Sequence, residues 1–445
     1  SNYSSAADCA STLACLRGLG VAIRRDGTSV TIASEGPSGW RAPAAPLDAE
    51  NSGSTIRMLA GALAGRPFRS VLTGDESLRR RPLERVAAPL RAMGASVLTT
   101  DGKAPMTIEG GRLRGLVHDL PVASAQVKTA LLLAGLQAEG TTTVREPAPS
   151  RDHTERMLPL FGVAVGRDGL AASVQGGARL RGADVAVPGD ASSAAFLVVA
   201  ALVLPDSEVR LDGVLLSPTR TAFVSVLPAM GGRVEARLEA TDPEPVGSIV
   251  ASSSRLHGTT VDPALVPSLV DEVPALAAAA AFAEGPFTVT GASELRVKES
   301  DRLAALAEGL SALGARVREL PDGLVVEGGA GLRGARVRSH GDHRIAMALA
   351  VLALAAEGAS EIEGADCVGG PIRVDFAPHG RPRWLDRELA GFLGEIDHGP
   401  VASVKEAGIS PDLLGEIVVA PGRGSSVATS QPMNVSRVMP WARRA

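Results

Sequence analysis

The chain has 445 residues, 45% of them hydrophobic and 21% charged, with a net charge of −4. That length supports two or three domains with ample core, and the mild acidity excludes a general nucleic-acid binder. The three cysteines, Cys9, Cys15 and Cys367, have neither metal-ligand spacing nor a disulfide pattern, which fits a reducing compartment. With 8 Phe, 3 Trp and 1 Tyr, the core must be built mostly from Ala, Val and Leu. No apolar run exceeds about 12 residues, against the roughly 18 that mark a membrane-spanning helix. The opening Ser1-Asn2-Tyr3-Ser4 shows no basic or apolar signal region. The expectation is therefore a cytoplasmic protein with no membrane and no nucleic-acid partner.

Taken in chain order, residues 1–23, through Leu19-Gly20-Val21, read as the second half of a repeating unit. The unit is a short β-rich run, a polar turn carrying Ser, Thr and Arg, and a helix that ends in a glycine before a further strand. Ser70-Val71-Leu72-Thr73 leads through Arg81-Pro82 to Met93-Gly94-Ala95. Thr142-Thr143-Val144 leads through Ser150-Arg151-Asp152 to Phe161-Gly162-Val163. Val209-Arg210-Leu211 leads through Ser217-Pro218-Thr219-Arg220 to Met230-Gly231-Gly232. Phe287-Thr288-Val289-Thr290 leads to Leu313-Gly314-Ala315. The glycines are helix C-cap signals.

Between these copies lie apolar helices with polar starts. They begin near Gly53, Ala125, Ala191, Asp271 and His343, which are 72, 66, 80 and 72 residues apart. A period of roughly 70 residues is longer than common solenoid repeats and fits a βαββαβ unit used several times, an α/β (α+β) fold. By this phase, roughly 30–40 residues of a first half-unit should precede residue 1. The phase is lost after Cys367, where Pro371, Pro378, Pro382, Pro400 and Pro411 interrupt strand and helix patterns.

The polar helix starts carry the candidate chemistry. Asn51-Ser52-Gly53-Ser54-Thr55-Ile56-Arg57, Ser124-Ala125-Gln126-Val127-Lys128, Asp190-Ala191-Ser192-Ser193, Asp271-Glu272 and His340-Gly341-Asp342-His343-Arg344 put small polar or charged residues at helix N-termini. Taken singly, each reads as a cap. Together with Arg57, Arg81, Lys128, Lys298, Arg302 and Arg344 they suit a ligand with several phosphate or carboxylate groups. The densest stretch is Arg296-Val297-Lys298-Glu299-Ser300-Asp301-Arg302, between a strand and a helix. Read as helix, it sets Lys298 and Arg302 one turn apart on one face, with Glu299 on a neighbouring face.

These residues resemble the 5-enolpyruvylshikimate-3-phosphate synthase family. The resemblance is carried, in order, by residues 51–57, 74–82, 124–133, 146–158, 189–196, 266–274, 294–303 and 341–347, and spans about residues 5–368. It implies two globes of repeated βαββαβ units that close on substrate. Residues 1–187 would form the first globe, its first unit incomplete, and residues 188–370 the second; residues 371–445 would be a divergent tail. The crossover falls near Val187-Pro188-Gly189.

The implied reaction joins the enolpyruvyl group of phosphoenolpyruvate to the 5-hydroxyl of shikimate 3-phosphate and releases phosphate, in aromatic amino-acid biosynthesis. It uses no metal and no cofactor. Carried over by motif, Asp271 is the base and Glu299 the acid/base near C3. Ser124, Ala125, Gln126, Ser150, Asp271 and Lys298 would hold shikimate 3-phosphate. Gly53, Arg81, Gln126, Arg302 and Arg344 would hold phosphoenolpyruvate, with Asn51, Ser54 and His343 in support. A monomer is expected.

Two departures bear on activity. The family's opening Pro-Gly-Asp-Lys-Ser loop, with a lysine that touches both substrates, should precede residue 1, and its absence implies weak or no turnover. Its nearest echo lies in residues 415–426, which lack the apolar helix that should follow and read as coincidence. The family's closing lysine, expected shortly after Cys367, has only Arg373 nearby, which takes no role. The alternatives are a non-catalytic or defunct shikimate-phosphate binder, or a relative acting on UDP-N-acetylglucosamine. The Ser-Arg-Asp-His-Thr-Glu-Arg and Arg-Val-Lys-Glu-Ser-Asp-Arg stretches favour the shikimate enzyme.

Overall fold

The structure, a computed structural model, describes residues 2–4, 6–329 and 331–368, and the backbone of residues 372–374. Residues 415–426, the rest of the tail and the side chain of Arg373 lie outside the described residues. The chain opens with helix α1 (Ala7–Gly18) and the hairpin β1 (Ala22–Asp26) and β2 (Ser29–Ala33). A first full unit follows: β3 (Leu47–Asp48), α2 (Gly53–Leu63), β4 (Arg69–Thr73), α3 (Glu76–Arg80), α4 (Glu84–Met93), β5 (Ser96–Thr100) and β6 (Lys103–Glu109). The second is β7 (Val117–Asp119), α5 (Ala125–Gly135), β8 (Thr141–Arg145), α6 (His153–Met157), β9 (Val165–Asp168) and β10 (Ala171–Gln175).

The third unit comprises α7 (Ala191–Val203), β11 (Glu208–Leu215), α8 (Phe223–Ala229), β12 (Arg233–Ala240) and β13 (Val246–Ser252). The fourth comprises α9 (Val273–Ala281), β14 (Pro286–Val289), α10 (Arg302–Ala312), β15 (Arg316–Leu320) and β16 (Gly323–Glu327). Last come β17 (Arg336–Arg338), α11 (His343–Leu354), β18 (Ser360–Glu363) and β19 (Ile372–Val374). The third and fourth units take their first strand as isolated parallel bridges, Gly189 to Val214 and Thr260 to Thr288.

The described strands form six separate sheets, as a repeated unit requires and a single continuous sheet would not. The four-stranded sheets run β3-β4-β6-β5 and β7-β8-β10-β9. In each, the first pair is parallel and the rest antiparallel. The order within a unit is therefore βαβαββ, not the expected βαββαβ. Parallel neighbours need a crossover helix, whereas the closing antiparallel pair needs only a tight turn. Asp101 and Gly102, at φ 50° and 72°, make that turn between β5 and β6 in the left-handed geometry that Asp-Gly favours. The glycines marking helix ends, Gly20, Gly94, Gly162, Gly231 and Gly314, are all left-handed, with φ from 80° to 115°.

Among the described residues, buried apolar side chains form two clusters with no residue in common, one within residues 15–174 and one within residues 191–365. The scarcity of aromatics is met by close helix packing. All nine residues of α9 are buried, and the helix packs against α7, α10 and α11. A helix apolar on every side belongs inside the core, and alanines let its neighbours approach. In the first cluster α2 meets α5, where a Cβ on Gly61 would lie 2.0 Å from the carbonyl oxygen of Ala130, so glycine is required there.

Candidate active site

Four of the five polar helix starts cap their helices, and Asp271-Glu272, before α9, makes no side-chain cap. Ser52 accepts from the Thr55 N–H at 3.2 Å, Ser124 from Val127 at 3.5 Å, Asp190 from Ser193 at 3.1 Å and Asp342 from Arg344 at 2.9 Å. The stretch around Lys298 departs from its helical reading. Residues 293–297 form a short 3-10 turn, Lys298 is extended at ψ −147°, and α10 starts only at Arg302, capped by Asp301. A helical face therefore does not align Lys298 with Arg302. They meet because both point at one oxygen of Asp271, Lys298 Nζ at 3.3 Å and Arg302 Nη1 at 3.2 Å.

Asp271 lies in the turn before α9 and is buried. Its other carboxylate oxygen accepts from Arg151, and its backbone carbonyl accepts from Arg344 at 3.1 Å. Burial opposes its ionisation, but Lys298, Arg344, Arg151 and Arg302 outweigh it and hold the carboxyl well below the usual range. The next residue behaves in the opposite way. Burial and the charge of Asp271 push the Glu272 carboxyl up, although Ser192 donates to it.

Among the described residues, Arg302 is the bulkiest fully buried side chain. Besides Asp271, it donates to Asp342 Oδ2 at 2.8 Å and to Glu299 Oε2 at 2.5 Å. Glu299 Oε1 faces Arg81 at 3.6 Å, and the Glu299 carbonyl accepts from Ser77 at 3.0 Å. Burial raises the Glu299 carboxyl, yet Arg302 and Arg81 bring it below its ordinary value. His343 opens α11, and burial together with Arg344 lowers its pKa.

A second group surrounds the start of α2. Arg81 donates to Asn51 Oδ1 at 2.6 Å. Arg57 donates to the Gly53 carbonyl at 3.1 Å and to Gln126 Oε1 at 3.0 Å, and Gln126 donates to Ser54 Oγ at 2.8 Å. Burial, reinforced by Arg85 and Arg81, lowers the Arg57 pKa to about 10. Gly53 leaves room for both arginines: a Cβ there would lie 2.6 Å from Arg57 Nη1 and 3.2 Å from Arg81 Nη1. In a third group, the Ser124 N–H and the Ser150 hydroxyl both donate to Glu146, at 2.9 Å and 2.8 Å. Ala125 is the first residue of α5, beside Ser124.

Of the residues singled out from sequence, Asp271, Lys298, Glu299, Arg302, Arg344, Arg81 and Asn51 are thus joined in one network of charges. Gly53, Ser54 and Gln126 adjoin it through Arg57 and Arg81, while Ser124, Ala125 and Ser150 gather about Glu146. Lys128, grouped with the cations that suit an anionic ligand, instead pairs with Glu146 and Glu155, both at 2.7 Å and all three buried.

The EPSP synthase (3-phosphoshikimate 1-carboxyvinyltransferase) family model matches residues 1–370. The chain belongs to the EPSP synthase family. A 3-phosphoshikimate 1-carboxyvinyltransferase of Brevibacillus brevis is 46% identical over 368 residues, covering 81% of this chain and 86% of the relative. One from a Synechococcus is 53% identical over 365 residues, covering 80% and 82%. Among solved structures, the EPSP synthase of Acinetobacter baumannii superposes with a TM-score of 0.72 at 43% identity, covering 82% of this chain and 85% of that one. The chain thus has the two-domain α/β fold of enolpyruvyl transferases and is a transferase by family.

Sequence reasoning missed the buried carboxylates that hold this candidate site in place. Asp342 read only as a helix cap, and Glu146 as part of a motif. Arg151 was noted in its motif without a role, and its reach to Asp271 shows only in the fold. The one available signal was that a buried arginine demands a buried acid.

Proposed function

We propose that this chain transfers the enolpyruvyl group of phosphoenolpyruvate to the 5-hydroxyl of shikimate 3-phosphate and releases phosphate. The observation that carries this reading is the convergence of Lys298, Arg302 and Arg151 on the carboxylate of Asp271, with Glu299 held between Arg302 and Arg81. Two carboxylates for proton transfer amid cations for two phosphates and two carboxylates is the set such an addition–elimination needs.

In this reading the site's own carboxylates occupy cations that the substrates will use. When the phosphoenolpyruvate carboxylate draws Arg302 and Arg344 to itself, Asp271 loses part of its clamp and becomes a stronger base for the 5-hydroxyl. Glu299, freed in the same way, takes up a proton for C3 and removes one when the tetrahedral intermediate collapses. Ser124, Ala125, Gln126, Ser150 and Lys298 hold shikimate 3-phosphate. Gly53, Arg81, Gln126, Arg302 and Arg344 hold phosphoenolpyruvate. Asn51 orients Arg81, Ser54 orients Gln126, and His343 lines the same wall.

The separation of the two apolar clusters supports globes that divide near Pro188. Both globes of one chain supply the site, which supports a monomer. The test is phosphorus NMR on purified chain with both substrates. Free phosphate and a new enol-ether product appearing together are expected. Binding of shikimate 3-phosphate with neither product would make the chain a binder instead.

A further inference from the structure

The Glu146–Lys128 pair has no part in the chemistry above, yet it is built with care. Glu146 immediately follows β8, the strand paired with both β7 and β10. Its Oε1 accepts from the Ser124 N–H at 2.9 Å; its Oε2 accepts from Lys128 Nζ at 2.7 Å and from the Ser150 hydroxyl at 2.8 Å. Glu146 is 7% exposed and Lys128 4%. One buried carboxylate therefore fastens the N-terminus of α5 and the loop after β8 to the end of a strand. Glu155 meets the same ammonium from α6 through Oε1, but neither serine is its hydrogen-bond partner.

We propose that Glu146, held by Lys128, is a positioning residue for the phosphate of shikimate 3-phosphate. This rests on the reading that Ser124 and Ser150 bind that phosphate. The Ser150 hydroxyl has one proton, and without ligand it goes to Glu146. An arriving phosphate dianion takes that proton's hydrogen bond while the Ser150 oxygen stays where Glu146 set it. Lys128, with three donors, keeps Glu146 satisfied after Ser150 turns away. Its ammonium, shared with Glu155, also offsets part of the charge of Glu146 that would otherwise repel the phosphate. A binding group whose rotamer is fixed in advance by a buried partner on a rigid element is the general requirement for a tight site.

The test is calorimetric titration of the full chain with shikimate 3-phosphate and with shikimate, in the parent, Glu146→Gln and Glu155→Gln. Glutamine keeps the size of Glu146 but cannot accept from Ser124, Lys128 and Ser150 together. Glu146→Gln should weaken shikimate 3-phosphate roughly tenfold or more, the scale of lost charge-assisted hydrogen bonds. Shikimate itself, which lacks the phosphate, should be nearly unaffected. Glu155→Gln should bind shikimate 3-phosphate as the parent does. The proposal is overturned if both variants weaken alike, if Glu146→Gln loses both ligands in proportion, or if it binds unchanged. A parent that fails to bind shikimate 3-phosphate overturns the phosphate-site reading and this proposal with it. Should Glu146→Gln fail to fold, Glu146→Asp keeps the charge on Lys128 while drawing the carboxylate back by one methylene, and the same comparison applies.

Discussion

Arg302 and Asp342 form an ion pair, Nε to Oδ2 at 2.8 Å, with side chains only 1% and 0% exposed. The same guanidinium also reaches Asp271 and Glu299, so one side chain ties three carboxylates of the site together. Its planar fork is what allows this, and an ammonium at the same position would satisfy fewer partners. Arg302→Lys is therefore expected to lower kcat/KM at least about 100-fold although the charge is kept. Steady-state kinetics with phosphoenolpyruvate varied would show it, and activity near that of the parent would remove Arg302 from the phosphoenolpyruvate pocket.

Asp271→Asn should cost turnover roughly 100- to 10,000-fold as the loss of a general base. It should also destabilise the fold by about 3–5 kcal/mol, because cations are left facing one another without their shared anion. The pH dependence has a definite sign. The Asp271 carboxyl is depressed in the folded state, so its contribution is present above the ordinary aspartate value near about 4 and is lost as the pH falls through the folded value. Urea midpoints measured from neutral to acid pH should thus converge between parent and variant at low pH. A gap that stays constant down to the most acid point would contradict the ion-pair account.

Glu299→Gln keeps a neutral partner for Arg302 but removes the proton carrier. Turnover should fall roughly 100-fold or more while shikimate 3-phosphate affinity holds. Incorporation of solvent deuterium into C3 of the enolpyruvyl group is the direct readout of proton delivery to that carbon, and it should slow along with turnover.

Gly53→Ala should act through the two arginines beside it. A Cβ 2.6 Å from Arg57 Nη1 and 3.2 Å from Arg81 Nη1 forces both guanidinium ends to move. Both are far ends of flexible side chains, so the fold should survive with its melting temperature nearly unchanged. The KM for phosphoenolpyruvate should rise roughly tenfold, the worth of about one displaced hydrogen bond to a charged group. An unaltered KM would show that the pocket lies elsewhere.

Much of this was legible in the chain itself, and the reasons are local. The cap residues Ser124, Asp190 and Asp342, and the left-handed Gly94 and Gly314, act on backbone a few positions away, so a window of sequence contains both partners. The apolar helices beginning at Gly53, Ala125 and His343 were legible for the same reason. Partners far apart in the chain were not. Nothing near Arg302 announces Asp342, 40 residues on, and nothing near Ser124 announces Glu146. Lys298 and Arg302 looked like helical neighbours because their spacing permits it, yet the helix begins too late. Their convergence is set by a carboxylate about 30 residues earlier, through tertiary contact that no periodicity encodes.

The two apolar clusters share no side chain, and several contacts that bridge them are polar. Arg81 meets Glu299, Arg85 meets Glu294, Arg151 meets Asp271, and His153 meets Glu244. Mobile salt screens exposed charges far more than buried ones, so among these bridges it acts mainly on the more exposed Arg85–Glu294 pair. The two halves of this protein are in effect coupled by a polar joint that the surrounding electrolyte reaches only at its exposed edge, while each half keeps its own rigidity. Added salt should loosen that edge before it melts either half.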